Sequence, residues 1–253
     1  MFRPRIIPVL LLKNQDLVKS IGFKNYRYIG DPINAVKIFN NLKADELIFL
    51  DILASKENKS IPIQLIRNIG EEANMPFAVG GGIRTLDQIR NIIGSGAERV
   101  IINTYAAQNP DFIRQASETF GSSTIIVCMD VKKSFLGKEK TWIINGSKAT
   151  NYSPLEFAKL MVVNGAGELV VQSIEKDGSM NGYDIELINR ISKEVSIPVV
   201  ALGGAGNLNH LKEAYVNGFA SGLAAGSMFI YHGERRAVLV NYPEKSELSQ
   251  IFK

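Results

Sequence analysis

The sequence predicts an α/β fold, a single (β/α)8 barrel. Short apolar runs alternate with segments of helical periodicity eight times along the 253 residues. The runs are apolar at nearly every position, as is typical of strands buried on both faces of a parallel sheet. Several segments recur at an offset of about 122 residues, which indicates two half-barrels of four strands each. Barrels of this length are commonly one domain, so we expect a single domain over residues 1–253.

The strands and helices alternate along the whole chain. The predicted strands are 5–11, 47–52, 77–79, 100–102, 124–130, 169–173, 199–202 and 221–225. The predicted helices are 33–42, 63–73, 86–95, 110–120, 154–164, 185–195, 208–217 and a last one near 235–241. Asp31-Pro32 and Ser153-Pro154 each supply a capping side chain followed by proline in the first turn, so both pairs indicate helix starts.

The repeat decides between two α/β architectures. Residues 44–52 (ADELIFLDI) resemble 166–174 (AGELVVQSI), and 75–83 (MPFAVGGGI) resemble 197–205 (IPVVALGGA). The same offset aligns Asn103-Thr104 with Ala225-Gly226. An open doubly wound sheet is the alternative, but it does not account for a two-fold repeat.

Composition and motifs exclude several classes of function. The net charge of +4 is spread along the chain without a Lys/Arg block, so no nucleic-acid partner is predicted. The first apolar run is too short to span a membrane, and the lone Cys128 allows no internal disulfide, so we expect a cytoplasmic protein. His210 and His232 are isolated, and no nucleotide-binding or serine-hydrolase motif occurs. No metal or cofactor is predicted.

Glycine-rich strand ends occur at matching positions in both halves. Glycines and hydroxyl residues where loops meet helix N-termini expose N–H groups that suit phosphate, although glycine also serves tight turns. The candidate phosphate-binding residues are Gly81, Gly82, Asn103 and Thr104 in the first half, and Asp177, Gly178, Gly203, Gly204, Ala225, Gly226 and Ser227 in the second. Two copies imply a ligand with a phosphate at each end, or an ancestor that bound one.

Three side chains are candidates for chemistry at the same end. Asp130 ends the fifth strand and is a candidate general acid or base, with helix capping or loop anchoring as the alternative. Asp51 ends the second strand and supports the site, with capping as the alternative. Lys19 either closes over a phosphate or is exposed to solvent. Cys128 is expected to point into the barrel core.

Two long connections follow strands one and five. Residues 13–30 and 131–153 lie on the face where barrel active sites form, so we interpret them as lids rather than plain surface insertions. Within the second, residues 134–135 and 141–144 predict a small hairpin.

Four charged residues begin strands one, two, four and six: Arg5, Glu46, Arg99 and Glu168. Two cations and two anions at strand starts can form a ring across the bottom of the barrel. The ring is either a structural salt-bridge layer or a gate for a small molecule that enters from below.

Motifs over nearly the whole chain resemble HisF, the cyclase subunit of imidazole glycerol phosphate synthase. They are RIIP (5–8), ADELIFLDI (44–52), GGGIR (80–84), INT (102–104), DGSMNGYD (177–184) and GGAGN (203–207). The resemblance implies two phosphate sites at the barrel top and a glutaminase docked at its bottom as a heterodimer partner. Ammonia would pass the charge ring, where the family usually has lysine at position 99, to close an imidazole ring.

One position departs from the family pattern. The resemblance implies a second catalytic aspartate at the end of strand one, where Leu11 stands. The repeat agrees, since VLLLK (9–13) corresponds to CMDVK (128–132). Leucine cannot transfer a proton, so strand one does not supply the second carboxylate that such a ring closure needs.

A paralogous group resembles the chain more closely in LLLK (10–13), YIGDPINA (28–35) and HGERRAVLVNYP (232–243). These HisF-like proteins of surface-polysaccharide biosynthesis are associated with conversion of a sugar's acetamido group to an acetamidino group. The resemblance implies an ammonia-using synthase subunit that acts on a phosphorylated or nucleotide-linked sugar. A histidine-pathway cyclase and a non-catalytic scaffold that activates the glutaminase are the alternatives.

Overall fold

A computed structural model describes residues 3–134, 137–233 and 235–253. Eight parallel strands close into a barrel, because the first strand pairs with both the second and the eighth. The barrel strands are β1 Arg5–Lys13, β2 Leu47–Asp51, β3 Phe77–Gly80, β4 Arg99–Ile102, β5 Ile125–Lys133, β6 Glu168–Ser173, β7 Val199–Leu202 and β8 Gly222–Ala225. The predicted fold class is confirmed.

Helices surround the barrel, and seven of the eight predicted ones are present in the predicted order. They are α1 Pro32–Leu42, α2 Ile63–Glu72, α3 Leu86–Ile93, α4 Thr104–Gln108, α5 Asp111–Phe120, α6 Pro154–Val163, α7 Ile185–Ser192, α8 Leu208–Val216 and α9 Lys245–Ile251. Two short 3-10 helices span Ser122–Thr124 and Ser227–Phe229. In the described residues, no helix is long and apolar enough to cross a membrane.

The predicted last helix near 235–241 is wrong. Ala237–Val238 forms a two-residue strand that pairs with Tyr231–His232. The valines of this segment favour extended backbone, and Pro243 restricts the residue before it to non-helical conformations. The helix starts only after that proline, where Glu244 and Glu247 form a capping box.

The two predicted helix caps lie at equivalent places in the two half-barrels. The carboxylate of Asp31 accepts a hydrogen bond from the Asn34 N–H at 2.9 Å, at the start of α1. The hydroxyl of Ser153 accepts from the Glu156 N–H at 3.4 Å, and the Glu156 carboxylate accepts from the Ser153 N–H at 2.9 Å. Each helix therefore begins at the residue that the sequence indicates.

The apolar core has two parts. Most buried residues pack between the strands and the helices. A second cluster fills the barrel interior with Ile7, Val9, Ile48, Ala78, Ile101, Ile126, Cys128, Val170, Val200, Leu202 and Ala224. Cys128 is a free, buried thiol in this inner cluster, as predicted.

Two hairpins extend the barrel at its mouth, the end formed by the carboxyl ends of the strands. β1 continues into an antiparallel strand Asp16–Ile21, which pairs with Lys24–Gly30. We define these two strands as the first hairpin. β5 continues into the second hairpin, Glu139–Ile143 with Lys148–Ala149.

The second hairpin differs from the one predicted. Its strand Glu139–Ile143 also pairs with the end of β5, since Val131 to Lys133 lie opposite Thr141 to Glu139. Of the two predicted arms, 141–144 largely coincides with a strand, whereas Phe135 lies outside the described residues. The first hairpin has no strong sequence signal because polar and apolar residues are mixed in both strands. The first strand pairs with β1, and the second pairs with the first.

Candidate active site at the barrel mouth

Two adjacent cavities lie at the mouth. The first cup is lined by Gly81, Gly82, Asn103 and Thr104 together with Asp51 and Asp130. The second cup is lined by Lys19, Asp177, Gly178, Gly203, Gly204, Gly226 and Ser227. Leu11, Ser20 and Gln172 line both cavities and form the wall between them. Ala225 is buried and lines neither cavity.

The glycines of the first cup are required by the packing around them. Gly82 has a φ of +66°, and a Cβ there would lie 1.8 Å from the Lys59 carbonyl oxygen. Gly81 has a φ of +138°, and its Cβ would lie 2.7 Å from the Cβ of Asp51. No other residue fits without rebuilding the loop, so the backbone itself forms this wall.

Asp130 is buried in the first cup beside two polar partners. Its carboxylate accepts a hydrogen bond from the Asn103 side-chain amide at 2.9 Å, and the Cys128 thiol lies 3.7 Å away. Burial raises the pKa of Asp130 to about 7, against the opposing effect of those two hydrogen bonds. A carboxyl group that titrates near neutral pH can both accept and donate a proton.

Asp51 lines the same cup but already has partners. One carboxylate oxygen accepts from the N–H groups of Leu53 at 3.0 Å and Ala54 at 3.1 Å. Burial raises the pKa of Asp51, and these backbone hydrogen bonds oppose the rise. One carboxylate oxygen of Asp51 therefore caps the turn that follows β2.

Lys19 lies inside the second cup, so solvent exposure, one of its two predicted positions, is wrong. Its side chain is 4% exposed, and its ammonium group donates to the Val9 carbonyl at 2.6 Å. Burial lowers the pKa of Lys19 to about 8, while Asp177 opposes the change. A Cβ at Gly226 would lie 2.5 Å from the ammonium nitrogen, so glycine makes room for it. Among the described residues that line the two cups, Lys19 is the only Lys or Arg.

Asp177 anchors the first hairpin over the mouth. Its carboxylate accepts from the Ser20 hydroxyl at 2.8 Å and the Phe23 N–H at 3.3 Å, and its carbonyl accepts from the Gly22 N–H at 3.0 Å. Burial raises the pKa of Asp177, and the hydrogen bonds from Ser20 and Phe23 oppose this rise. The carboxylate therefore faces the hairpin, and only the loop backbone is available to an anion.

The two hairpins meet above the first cup. The Asn145 amide donates to the Tyr26 hydroxyl at 2.8 Å, and the Ile144 N–H donates to the Thr104 hydroxyl at 3.0 Å. Phe23 and Tyr26 from the first hairpin and Asn145 from the second line the cavity. Both long connections therefore cover the mouth, as predicted for lids.

The four charged residues at the strand starts form a closed ring. Arg5 bridges Glu46 at 2.6 Å and also contacts Glu168, and Arg99 contacts the same two glutamates. Both glutamates are buried, and burial raises the pKa of Glu46 despite the opposing arginines. The predicted ring geometry is present, with four ion pairs across the barrel bottom.

Several residues of the mouth were not predicted from the sequence. Gln172 carried a signal, since it is a polar residue within an apolar strand at the repeat position of Leu50. Ser20, Tyr26 and Asn145 carried none, because their positions follow from how the hairpins dock. No group of three or more His, Cys, Asp or Glu suited to a metal ion occurs in the part of the chain that the structure describes.

Comparison with known proteins agrees with this geometry. Residues 5–236 match the family model described as histidine biosynthesis protein. The chain is 44% identical to a Leptospira borgpetersenii protein provisionally named imidazole glycerol phosphate synthase subunit HisF, over all of both chains. It is 42% identical to a Pseudomonas aeruginosa protein provisionally named subunit hisF2, covering 98% of this chain and 99% of that one.

A third relative is named imidazole glycerol phosphate synthase subunit HisF, and this name is not provisional. The imidazole glycerol phosphate synthase subunit HisF of Alkaliphilus metalliredigens is 38% identical to the chain, over 92% of each. Family match, relatives and barrel geometry all lead to one assignment. The chain belongs to the histidine biosynthesis protein family, as a HisF-type synthase subunit.

Proposed function

We propose that this subunit takes ammonia from a glutaminase partner and uses it to convert an acetamido group to an acetamidino group. The acceptor is a phosphorylated or nucleotide-linked sugar destined for surface polysaccharide. The observation that carries the proposal is Leu11, which lies where the family resemblance implies a second catalytic aspartate.

Leu11 faces the site rather than a distant surface. It lines both cups, and its backbone pairs with Val18 as β1 enters the first hairpin. Asp130 has the equivalent place in the other half, since it pairs with Trp142 as β5 enters the second hairpin. Of the two equivalent strand-end positions, one therefore has the carboxylate of Asp130 and the other has leucine, which cannot move a proton.

The cups support a ligand with anionic groups. Backbone N–H groups at glycine loops and the ammonium of Lys19 are suited to phosphate oxygens. In this proposal Gly203, Gly204, Gly226 and Ser227 hold a phosphate beside Lys19, while Gly81, Gly82, Asn103 and Thr104 contact the other end of the ligand. A nucleotide-linked sugar is long enough to contact both adjacent cups.

Ammonia enters at the opposite end of the barrel in this proposal. The ring of Arg5, Glu46, Arg99 and Glu168 is the gate, and the apolar inner cluster lies between it and the mouth. A glutaminase docked below the ring delivers ammonia without loss to water. Passage requires at least one of the four ion pairs to open.

Asp130 accepts the proton that is released when ammonia is transferred. In this step the acetamido oxygen is first phosphorylated. Ammonia then forms a bond to the acetamido carbon, Asp130 accepts a proton from that nitrogen, and the carbon–oxygen bond breaks with phosphate as the leaving group. With its pKa at about 7, Asp130 can accept that proton at neutral pH. The amide oxygen needs an activating group, which we assign to a further partner protein.

A histidine-pathway cyclase is the second candidate. The unqualified name of the Alkaliphilus metalliredigens relative favours it. In that case another group at the mouth, such as Asp51, replaces the missing aspartate. A third candidate is a non-catalytic scaffold that binds and activates the glutaminase, for which the charged ring is the only requirement.

Deletion of the gene in its own organism tests the proposal. We expect surface polysaccharide in which the acetamidino group reverts to acetamido, a gain of about 1 Da per residue by mass spectrometry, and no requirement for histidine. A histidine requirement with unchanged polysaccharide would support the cyclase instead. Reintroducing Asp130→Asn separates enzyme from scaffold, because a scaffold restores the polysaccharide without that carboxylate.

A further inference from the structure

Gln172 is a buried polar side chain that the protein leaves without a partner. It is 5% exposed, near the end of β6, and lines the wall shared by both cups. Among the described residues, no hydrogen bond to its side-chain amide is present. Two polar side chains that line the first cup with it have other partners, since Asp130 accepts from Asn103 and Ser20 donates to Asp177. In the part of the chain that the structure describes, only Ser192 has a side-chain polar atom that is both cut off from solvent and unpaired. The Gln172 amide therefore reaches the cavity space and is available to a ligand group.

The neighbours of Gln172 restrict the chemistry of that group. Its amide offers a donor and an acceptor and carries no charge, so it is complementary to another neutral group with both. Leu11 lies beside it on the shared wall, and Leu202, its register neighbour on β7, lines the second cup. Their side chains present apolar surface suited to a methyl group. A carboxamide that carries a methyl group, an acetamido group, fits both features.

The strand register places this group next to the acid–base residue. Gln172 is paired with Asp130 across β6 and β5, and both side chains line the first cup. A carboxamide held by Gln172 would therefore lie beside the carboxylate that handles the proton. The ligand group would then be bound, and would react, at the wall shared by the two cups. We call this wall the junction.

We infer that Gln172 recognises the acetamido group of the acceptor at the junction of the two cups, with Leu11 packed against its methyl group. This inference rests on the proposed function and deepens it, because it names the residue that selects acetamido over hydroxyl. Gln172 acts as a specificity-determining residue, and Leu11 has a binding role where the second aspartate is missing.

Calorimetric titration with two nucleotide sugars tests the inference. The probes are UDP-N-acetylglucosamine and UDP-glucose, which differ in the acetamido group. We expect the purified chain to bind the acetamido probe about tenfold more tightly, as one or two neutral hydrogen bonds would give. Gln172→Met, of similar length, should reduce the preference to about twofold and leave UDP-glucose binding unchanged. Gln172→Glu, which removes the amide donor, should also reduce it.

Gln64→Met is the matched control, because Gln64 is exposed on α2 and hydrogen-bonds only to Asn68 among the described residues. It should keep the tenfold preference. Binding of both probes with a preference that Gln172→Met does not change would overturn the inference and leave the proposed function intact. A chain that binds neither probe would contradict both.

Discussion

The two half-barrels differ at the centre of the mouth while agreeing around it. The first half places Leu11 and Leu50 there, and the second half places Asp130 and Gln172 at the equivalent positions. Each pair is adjacent in strand register, Leu11 with Leu50 and Asp130 with Gln172. One side of the mouth is therefore apolar and the other polar, on a backbone that repeats.

The two half-barrels agree in the features that the backbone forms. Both halves have a capped first helix, glycine loops and a hairpin that continues the leading strand. The difference lies where side chains would contact a ligand. A duplicated fold keeps the features that build the cups and can change the few side chains that set the chemistry between them.

Asp130→Asn should give the largest effect on activity. Removal of the buried carboxylate that lies beside Gln172 in the strand register should lower turnover about 100-fold or more, the usual size of a lost general acid or base. Asp51→Asn is the matched control and should cost far less, because Asp51 acts through its caps on Leu53 and Ala54. Equal losses in the two variants would mean that the halves contribute equally to the chemistry.

The same substitution should stabilise the fold, with a defined pH dependence. The pKa of Asp130 is about 7 in the folded chain against an ordinary 3.8, so the folded state holds a proton that the unfolded chain releases. Stability of the native chain should therefore fall as pH rises from about 4 to about 7 through this group, and stay lower above. Asp130→Asn should raise the free energy of unfolding at pH 8 by on the order of 2 kcal/mol and lose that advantage near pH 4. Urea denaturation at both pH values measures it, and a destabilised variant at pH 8 contradicts the raised pKa.

Glu46→Ala should destabilise the protein most among these changes, because the ring joins the two halves. Glu46 comes from the first half and Glu168 from the second, and both arginines bind both. Loss of one member of a buried ion pair costs about 3–5 kcal/mol. Glu194→Ala is the control, since its pair with Lys159 is exposed and should leave the urea midpoint nearly unchanged. A midpoint for Glu46→Ala close to that of the native chain would show that the ring is not structural.

The smallest and most similar effects are expected at the two helix caps. Asp31→Ala and Ser153→Ala should each lower the free energy of unfolding by about 1 kcal/mol, the usual cost of an N-cap. Denaturation curves of both variants measure this. Losses that differ severalfold would show that the repeated positions are not energetically equivalent.

Sequence patterns predicted the barrel well because strand burial and helix capping are local. All eight strands were found, and Val199–Leu202 agrees at both ends. The predicted strands one and five were too short, since antiparallel pairing with the hairpins extends them. The last helix was misplaced because apolar spacing alone did not weigh the valines and Pro243.

The cups could be predicted because glycine is the only residue that fits at Gly82 and Gly204, where a Cβ would lie 1.8 and 2.1 Å from backbone oxygens. The junction could be predicted only in part. The repeat identified Leu11. The lack of a hydrogen bond to Gln172 could not be predicted, because it depends on the hydrogen bonds that Asp130 makes with Asn103 and Ser20 makes with Asp177. The anchor between Asp177 and the first hairpin is a contact between residues 157 apart in sequence, beyond any local pattern.

We propose that the mouth still binds its ligand but no longer closes an imidazole ring. Expression of the chain in a histidine auxotroph that lacks its cyclase subunit, on ammonium-rich medium without histidine, tests this claim most directly. We predict no growth, because Leu11 leaves Asp130 without a second carboxylate. Growth that is lost again in Asp130→Asn would contradict the claim and show that the chain is a working cyclase.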